Sequence, residues 1–331
     1  MAGYTVITTM KNEGAFLLEW VAHHKALGFD HILICTNDCA DTTRDMALRL
    51  QAMGLARHHD TKPWAVTSIQ RSALKQVRRY PEVTGADWLY VCDADEFLVV
   101  KFGDGTVQAL TAAASAGTEV ISVPWRVFGP HGQRDYREGQ VSQQFSHARM
   151  ALPPHRITPA YPKSLFRGLV NIHRIGVHAP VARPDLGRDL RAELPGGQPM
   201  VRQHHKIFVQ ADYRFAQVNH YVRRSRDSFL VKRDRGRVNH TGQPKDIEYW
   251  DRFDVAQVRC DAIRRYDAAG GAWMDRLMAD GLMADGPLAG LHARAVAWHR
   301  ARIAALHGDA DWAGIMAQTN ERLAQCVSLA S

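Results

Sequence analysis

Trp88-Leu89-Tyr90-Val91-Cys92-Asp93-Ala94-Asp95-Glu96 is the stretch that decides how this chain is read. A short run rich in aromatic and β-branched residues is a buried strand, and here three carboxylates leave its end together. Open α/β sheets bind their ligands at the carboxyl ends of strands. Two hard anionic ligands one residue apart suit Mg²⁺ or Mn²⁺, with a substrate's phosphate oxygens completing the octahedron. The same Asp-x-Asp spacing also occurs in capped and solvated turns, so the order of the surrounding elements has to carry the argument.

That order is regular. Tyr4 to Met10 is an apolar, β-branched run that turns through Lys11-Asn12-Glu13-Gly14 into a helical pattern, with Phe16, Leu17, Trp20, Val21, His24 and Leu27 on one face and Gly28 as a stop. His31 to Thr36 is a second strand, and Asp41 is the expected N-cap of a helix reaching about Met53. A third strand near Leu55 to His59 and a helix around Ser68 to Tyr80 lead to the strand from Trp88 to Cys92. Strands and helices alternating at this spacing predict an α/β fold with a doubly wound, mostly parallel sheet. Beyond it, Thr106 to Ala114 reads as a helix and Val120 to Pro124 as a strand. Residues 129–200, rich in Pro, Gly, His and Arg, read as long loops, with 187–199 as a mobile insertion. From Asp254 the chain is Ala-rich and helical, with breaks expected at Gly270-Gly271 and Gly286-Pro287.

The succession Lys11-Asn12-Glu13, Leu18 through His24, Leu27-Gly28, Asn37-Asp38 and Asp93-Ala94-Asp95-Glu96-Phe97 resembles bacterial glycosyltransferases of the family-two type. It also resembles the related family-92 galactosyltransferases. The likeness continues through Trp125 to Gly129 and reappears at Asn219-His220-Tyr221, Arg224-Ser225, Phe229, Lys232 and Arg235-Gly236, so it spans roughly residues 4–240. It implies a GT-A (Rossmann-like) domain over 1–245, with a nucleotide-binding half at 1–100 and an acceptor and closing half at 101–245. A C-terminal helical extension would occupy 246–331. It further implies a metal-dependent hexosyltransferase that moves a sugar from a nucleotide-sugar donor, UDP-linked, to a hydroxyl of a glycan or glycolipid in surface polysaccharide assembly, with inversion.

On that resemblance, Lys11, Asn12, Glu13, Asn37, Asp38 and Asp93 would meet the nucleoside. Asn12 and Glu13 also suit a helix start, and Asn37 and Asp38 are types that turn chemistry selects on its own. Asp95, Asp93 and a later histidine, His220 or alternatively His178, would hold the metal, although a single histidine is also a common packing residue. Glu96 is expected in a structural or acceptor-side role that requires a partner if buried. Lys232 and Arg235, a helical turn apart, are types that clamp a diphosphate, or else form a solvated helix face. Trp125 and Phe128 are candidates for stacking on an acceptor sugar, with buried packing as the alternative. The proton-accepting base is not assigned by any motif; Asp135, Glu138 and Asp185 are the weak candidates.

The composition agrees with an enzyme of this kind. The 331 residues are 46% hydrophobic, enough for a sizeable core, and the net charge is +8 with a pI near 9.4. The cations are distributed along the chain, with a concentration from Arg202 to Lys245, and no nucleic-acid motif accompanies them, so nucleic acid is not the expected partner. A basic surface suits a diphosphate donor and peripheral contact with an anionic membrane. Five scattered cysteines without a Cys-x-x-Cys pair, no apolar run of 18 residues and no leader pattern make a cytoplasmic enzyme at the inner membrane surface the expectation. Competing readings are a metal-dependent nucleotidyltransferase or phosphohydrolase, and a noncatalytic polysaccharide or nucleic-acid binding module. Oligomeric state is not legible.

Overall fold

The computed structural model describes residues 3–64, 67–150, 159–200, 208–236, 249–250, 258–279 and 288–328. Its first half is the alternation expected: β1 (Tyr4–Met10), α1 (Gly14–Ala26), β2 (His31–Thr36), α2 (Thr43–Ala52), β3 (Arg57–Asp60), α3 (Ile69–Val77) and β4 (Trp88–Val91). β1 pairs in parallel with both β2 and β4, and β2 with β3. Successive side chains of a strand point to opposite faces, and both faces are apolar here. Val6 joins the core under α1 and α2 with Leu17, Trp20, Val21 and Leu50, whereas Ile7 joins the core under α3 with Ala73, Leu74 and Val77. A strand covered on both sides reads as a continuous apolar run, which is why β1 and β4 lack alternation.

After β4 the chain turns into β5 (Glu96–Val100) and later β6 (Val120–Val127), longer than the run to Pro124 suggests. Pro162–Arg167 then inserts as an antiparallel strand between β4 and β6. The expectation of loops throughout 129–200 is therefore corrected, because this strand lies in the middle of the sheet. The expected mobile insertion is also corrected. Ala192–Leu194 pairs in parallel with β6, and the segment is pinned by Glu119, which accepts from Arg188 Nη1 at 2.6 Å and the Arg191 amide at 2.8 Å. Ala216–His220 pairs antiparallel with β5 and parallel with β6, returning the late chain to the Asp93 edge.

Two helix boundaries differ from expectation. Thr42, not Asp41, is the N-cap of α2; the Asp41 carboxylate instead accepts from the amides of Gly14 and Thr43, tying α1 to α2. The helix Asp267–Ala279 runs through Gly270-Gly271 without a break, while Gly286-Pro287 lies outside the described residues. The helix Leu288–His307 buries Leu288, Leu291, Ala295, Val296, His299, Ile303 and Leu306, a stripe at helical spacing. It packs so closely on α1 that a Cβ placed on Gly14 would lie 2.7 Å from that of Ala295, so this crossing needs a glycine. Among the described residues no helix is long and apolar enough to cross a membrane.

Candidate active site

The tight turn between β4 and β5 carries Asp93, Ala94 and Asp95, and Glu96 opens β5. Register brings the later elements onto this turn. His220 lies opposite Glu96 in the β5 ladder, and the Tyr221 amide donates to the Asp95 carbonyl at 2.8 Å. Lys163 comes from the inserted strand. Lys232 comes from the helix Arg226–Asp234, whose start is capped by the Ser225 side chain accepting from the Ser228 amide.

The carboxylates are partly buried and matched by cations. Asp93, 29% exposed at its side chain, accepts from Gln70 Nε2 at 2.6 Å and lies 3.0 Å from Lys163 Nζ. Lys163 is fully buried and also reaches Glu96 at 3.2 Å. Asp95, 5% exposed, pairs with Lys232 Nζ and lies 3.4 Å from His220 Nε2. Burial would raise all three acids, and the outcome depends on the neighbours. Burial opposes, but Lys232 and His220 hold Asp95 well below the usual carboxylate range, and Lys163 likewise lowers Asp93. Burial and the adjacent Asp93 push Glu96 well above it, despite Lys163.

A second buried group lies beside the first. Glu13 accepts from Arg224 Nη1 at 2.9 Å and from Arg235 Nη2 at 2.5 Å. Arg224, in a left-handed conformation at φ 56°, stacks over Phe16 at 3.6 Å and donates to the Ala94 carbonyl at 3.3 Å. Burial raises the Glu13 carboxyl, but Arg224, Arg235 and Lys232 outweigh it and bring it to about 2. Arg235 also donates to the Lys11 carbonyl.

The sequence candidates thus divide. Asp93, Asp95, His220 and Lys232 are brought together. Lys232 and Arg235 are buried against acids rather than forming a solvated helix face. Asn12 sits at φ 52° and its Oδ1 accepts from the Ala40 amide at 2.7 Å, holding the two sheet-edge loops together. Lys11 pairs with the exposed Asp38 at 2.6 Å, and Asn37 donates to the Thr61 carbonyl at 3.3 Å. His178 Nδ1–H donates to the Pro162 carbonyl at 3.0 Å, and His178 stands outside the ligand group of His220. Trp125 is half-buried, its ring 4.2 Å from that of His220. Phe128 is corrected: at 1% exposure and packed on Tyr221 it has no face for a sugar. Asp135, Glu138 and Asp185 lie near or in surface ion pairs with Arg226, Arg300 and Arg183, away from any described contact with the carboxylate turn.

Lys163 was missed, and Arg224 was named in the resemblance but given no role. Lys163 sits in a stretch read as loop, and nothing in local periodicity reveals a partner seventy residues away. For Arg224 a signal existed in the concentration of cations between 202 and 245.

Ligand atoms of Asp95, Glu96 and His220 lie within 4.8 Å of one another, and Glu96 Oε1 is buried with no hydrogen-bond partner among the described residues. Two carboxylates and an imidazole form an oxygen-rich donor set of the kind that Mn²⁺ or Mg²⁺ accepts, and the orphaned oxygen is one a cation would satisfy. The residues present therefore fit a divalent ion.

A glycosyltransferase family 92 protein from Ricinus communis is 25% identical over 171 residues, covering 50% of this chain and 30% of the relative. One from Oryza sativa subsp. japonica is 24% identical over 172 residues, covering 50% and 28%. Its curated relatives are family 92 glycosyltransferases. The chain matches less than a third of the length of these relatives, and no family profile matches it. Among solved structures, S. aureus TarS is similar at 11% identity over 67% of this chain and 37% of TarS, with a TM-score of 0.36. Glucosyl-3-phosphoglycerate synthase from Mycobacterium tuberculosis, in complex with Mn²⁺, UDP and glucosyl-3-phosphoglycerate, is similar at 17% identity over 43% of this chain and 47% of that one, with a TM-score of 0.25.

Proposed function

We propose that this chain is a GT-A glycosyltransferase that moves a sugar from a nucleotide-sugar donor, UDP-linked, to a hydroxyl of a glycan or glycolipid, with inversion and with Mn²⁺ or Mg²⁺ as cofactor. The observation that carries the reading is the convergence of Asp93, Asp95, Glu96 and His220 with two buried lysines at the carboxyl edge of a doubly wound sheet. The likeness to family 92 proteins supports the same class of chemistry.

Asp95, Glu96 and His220 would hold the ion. Bound there, it would neutralise charge that develops on the departing diphosphate. Lys232 reaches Asp95 on that turn and Arg235 reaches Glu13 beside it, and both would supply cationic charge toward the phosphates in a site dry enough for that charge to count. Gln70 fixes Asp93, and the Asn12 contact with Ala40 fixes the edge that would receive the nucleoside. The net charge of +8 supports a place beside an anionic membrane surface on the cytoplasmic side.

The test is release of UDP from UDP-sugars by the purified protein, with Mn²⁺ and after chelation. Metal-dependent release supports the proposal. Release of UMP or free phosphate instead would favour a phosphohydrolase, and no release with any donor would leave only a binding role.

A further inference from the structure

Beside the carboxylate turn lies an aromatic surface that the donor chemistry does not use. Trp125, at the end of β6, meets Tyr161 at 5.4 Å between ring centroids and His178 at 5.1 Å, and Tyr161 meets Phe208 at 4.4 Å. Tyr161 is 41% exposed, whereas most large rings among the described residues are buried. The surface is continuous with the site. Trp125 stands 4.2 Å from His220, and Lys163 Nζ, the partner of Asp93, is 6.0 Å from the Trp125 ring.

The surface is also fixed in place. The Trp125 amide donates to the Tyr161 carbonyl at 2.8 Å, and the Tyr213 hydroxyl donates to the Trp125 carbonyl at 2.9 Å. His178 is tied to the Pro162 carbonyl and sits in a loop so tight that a Cβ on Gly176 would lie 2.0 Å from the Ala179 carbonyl oxygen. The Trp125 indole N–H is buried and has no hydrogen-bond partner among the described residues.

We infer that Tyr161, Trp125 and His178 form the acceptor subsite and that its occupant is a pyranose ring, laid with its C–H face on the aromatic surface. This rests on the glycosyltransferase reading and adds Tyr161 and His178 to Trp125 as the residues that receive the acceptor ring. A pyranose has an apolar face and a rim of hydroxyls. Burying that face on preset rings yields affinity without ordering cost, while the hydroxyls remain free to meet polar groups and, at the Asp93 edge, the donor. A lipid chain would instead need a deep apolar groove, and the neighbouring groups here are charged.

The experiment uses the full chain labelled with ¹⁵N at tryptophan, titrated with methyl β-D-galactopyranoside and methyl β-D-glucopyranoside. The Trp125 indole signal, assigned by its loss in Trp125→Phe, should shift saturably with at least one of them. Tyr161→Ala should weaken that binding about tenfold, the scale of one aromatic contact, and Tyr161→Phe should restore it. The thermal shift produced by UDP with Mn²⁺ should be the same in Tyr161→Ala as in the parent. An unmoved Trp125 signal with both pyranosides, or undiminished binding in Tyr161→Ala, overturns the subsite. Absence of any UDP effect on the parent, with the pyranoside response intact, overturns the donor reading and leaves the sugar surface standing.

Discussion

Replacing Glu13 by Gln removes the anion shared by Arg224 and Arg235 while keeping the side chain's size. The Glu13 carboxyl is held at about 2 against an ordinary 4.5. A difference of that size corresponds to about 3 kcal/mol of stability at neutral pH, at 1.36 kcal/mol per unit. The group is 3% exposed, so solvent screening takes little from this figure. Because the folded state depresses the carboxyl, the contribution is fully present above the unfolded value of 4.5. It is lost as pH falls through the folded value near 2, with roughly half remaining at about pH 3. Urea unfolding of parent and Glu13→Gln, followed by tryptophan fluorescence from pH 7 to pH 3, should give a gap of about 3 kcal/mol at pH 7 that narrows on acidification. A gap under ~1 kcal/mol at pH 7, or one that does not change with pH, would refute the claim that the two arginines are what depress this carboxyl.

Other outcomes are expected. Asp95→Asn should lower UDP release at least about a hundredfold while circular dichroism shows a folded protein, since it removes a charged metal-ligand candidate from a buried site. Lys232→Ala should weaken UDP binding much more than uridine binding by calorimetry; equal losses would assign the lysine to folding alone. His23 is buried against Tyr266 and Phe97 with Nε2 2.8 Å from the Leu98 carbonyl, and burial lowers its pKa from 6.5 to about 4. The neutral form is favoured in the fold, so stability should fall as pH drops from 6.5 to 4, and His23→Leu should flatten that slope in urea titrations. Gly176→Ala should cost about 2 kcal/mol and weaken pyranoside binding in step, because the loop holding His178 must open.

The first hundred residues were legible because their physics is local. β1 and β4 read as unbroken apolar runs since α1 and α3 cover opposite faces of one sheet, and Ser68 and Thr106 announce helix starts that their side chains do cap. The strand Pro162–Arg167 was not legible. It carries a lysine at its second position, and that lysine is tolerated in the interior only because Asp93 and Glu96 meet it from another part of the chain. Pairing of this kind leaves no trace in periodicity. The same holds for Asp41: a residue type that caps helices is used here to join two of them, a choice set by where Gly14 comes to rest. Asp93 and Asp95 were found from the strand that delivers them, whereas the role of Arg224 was not, because its contact with Glu13 spans 211 positions.

The helix Leu288–His307 touches both margins of the site. His292 Nδ1 lies 3.3 Å from the Gly14 carbonyl and the Leu291 carbonyl accepts from Thr42, while His299 meets Ser228 and Arg302 pairs with Asp234 on the helix that bears Lys232. Residues joined this way are separated by up to 278 positions. Contacts so distant in sequence form late, after the loop-closure entropy of the intervening chain has been met. During synthesis the carboxylate edge would therefore emerge long before the segment that braces it. The nascent chain should display Asp93 and Asp95 without a settled Lys232, and competence to bind a diphosphate should arrive only once Leu288–His307 has left the ribosome.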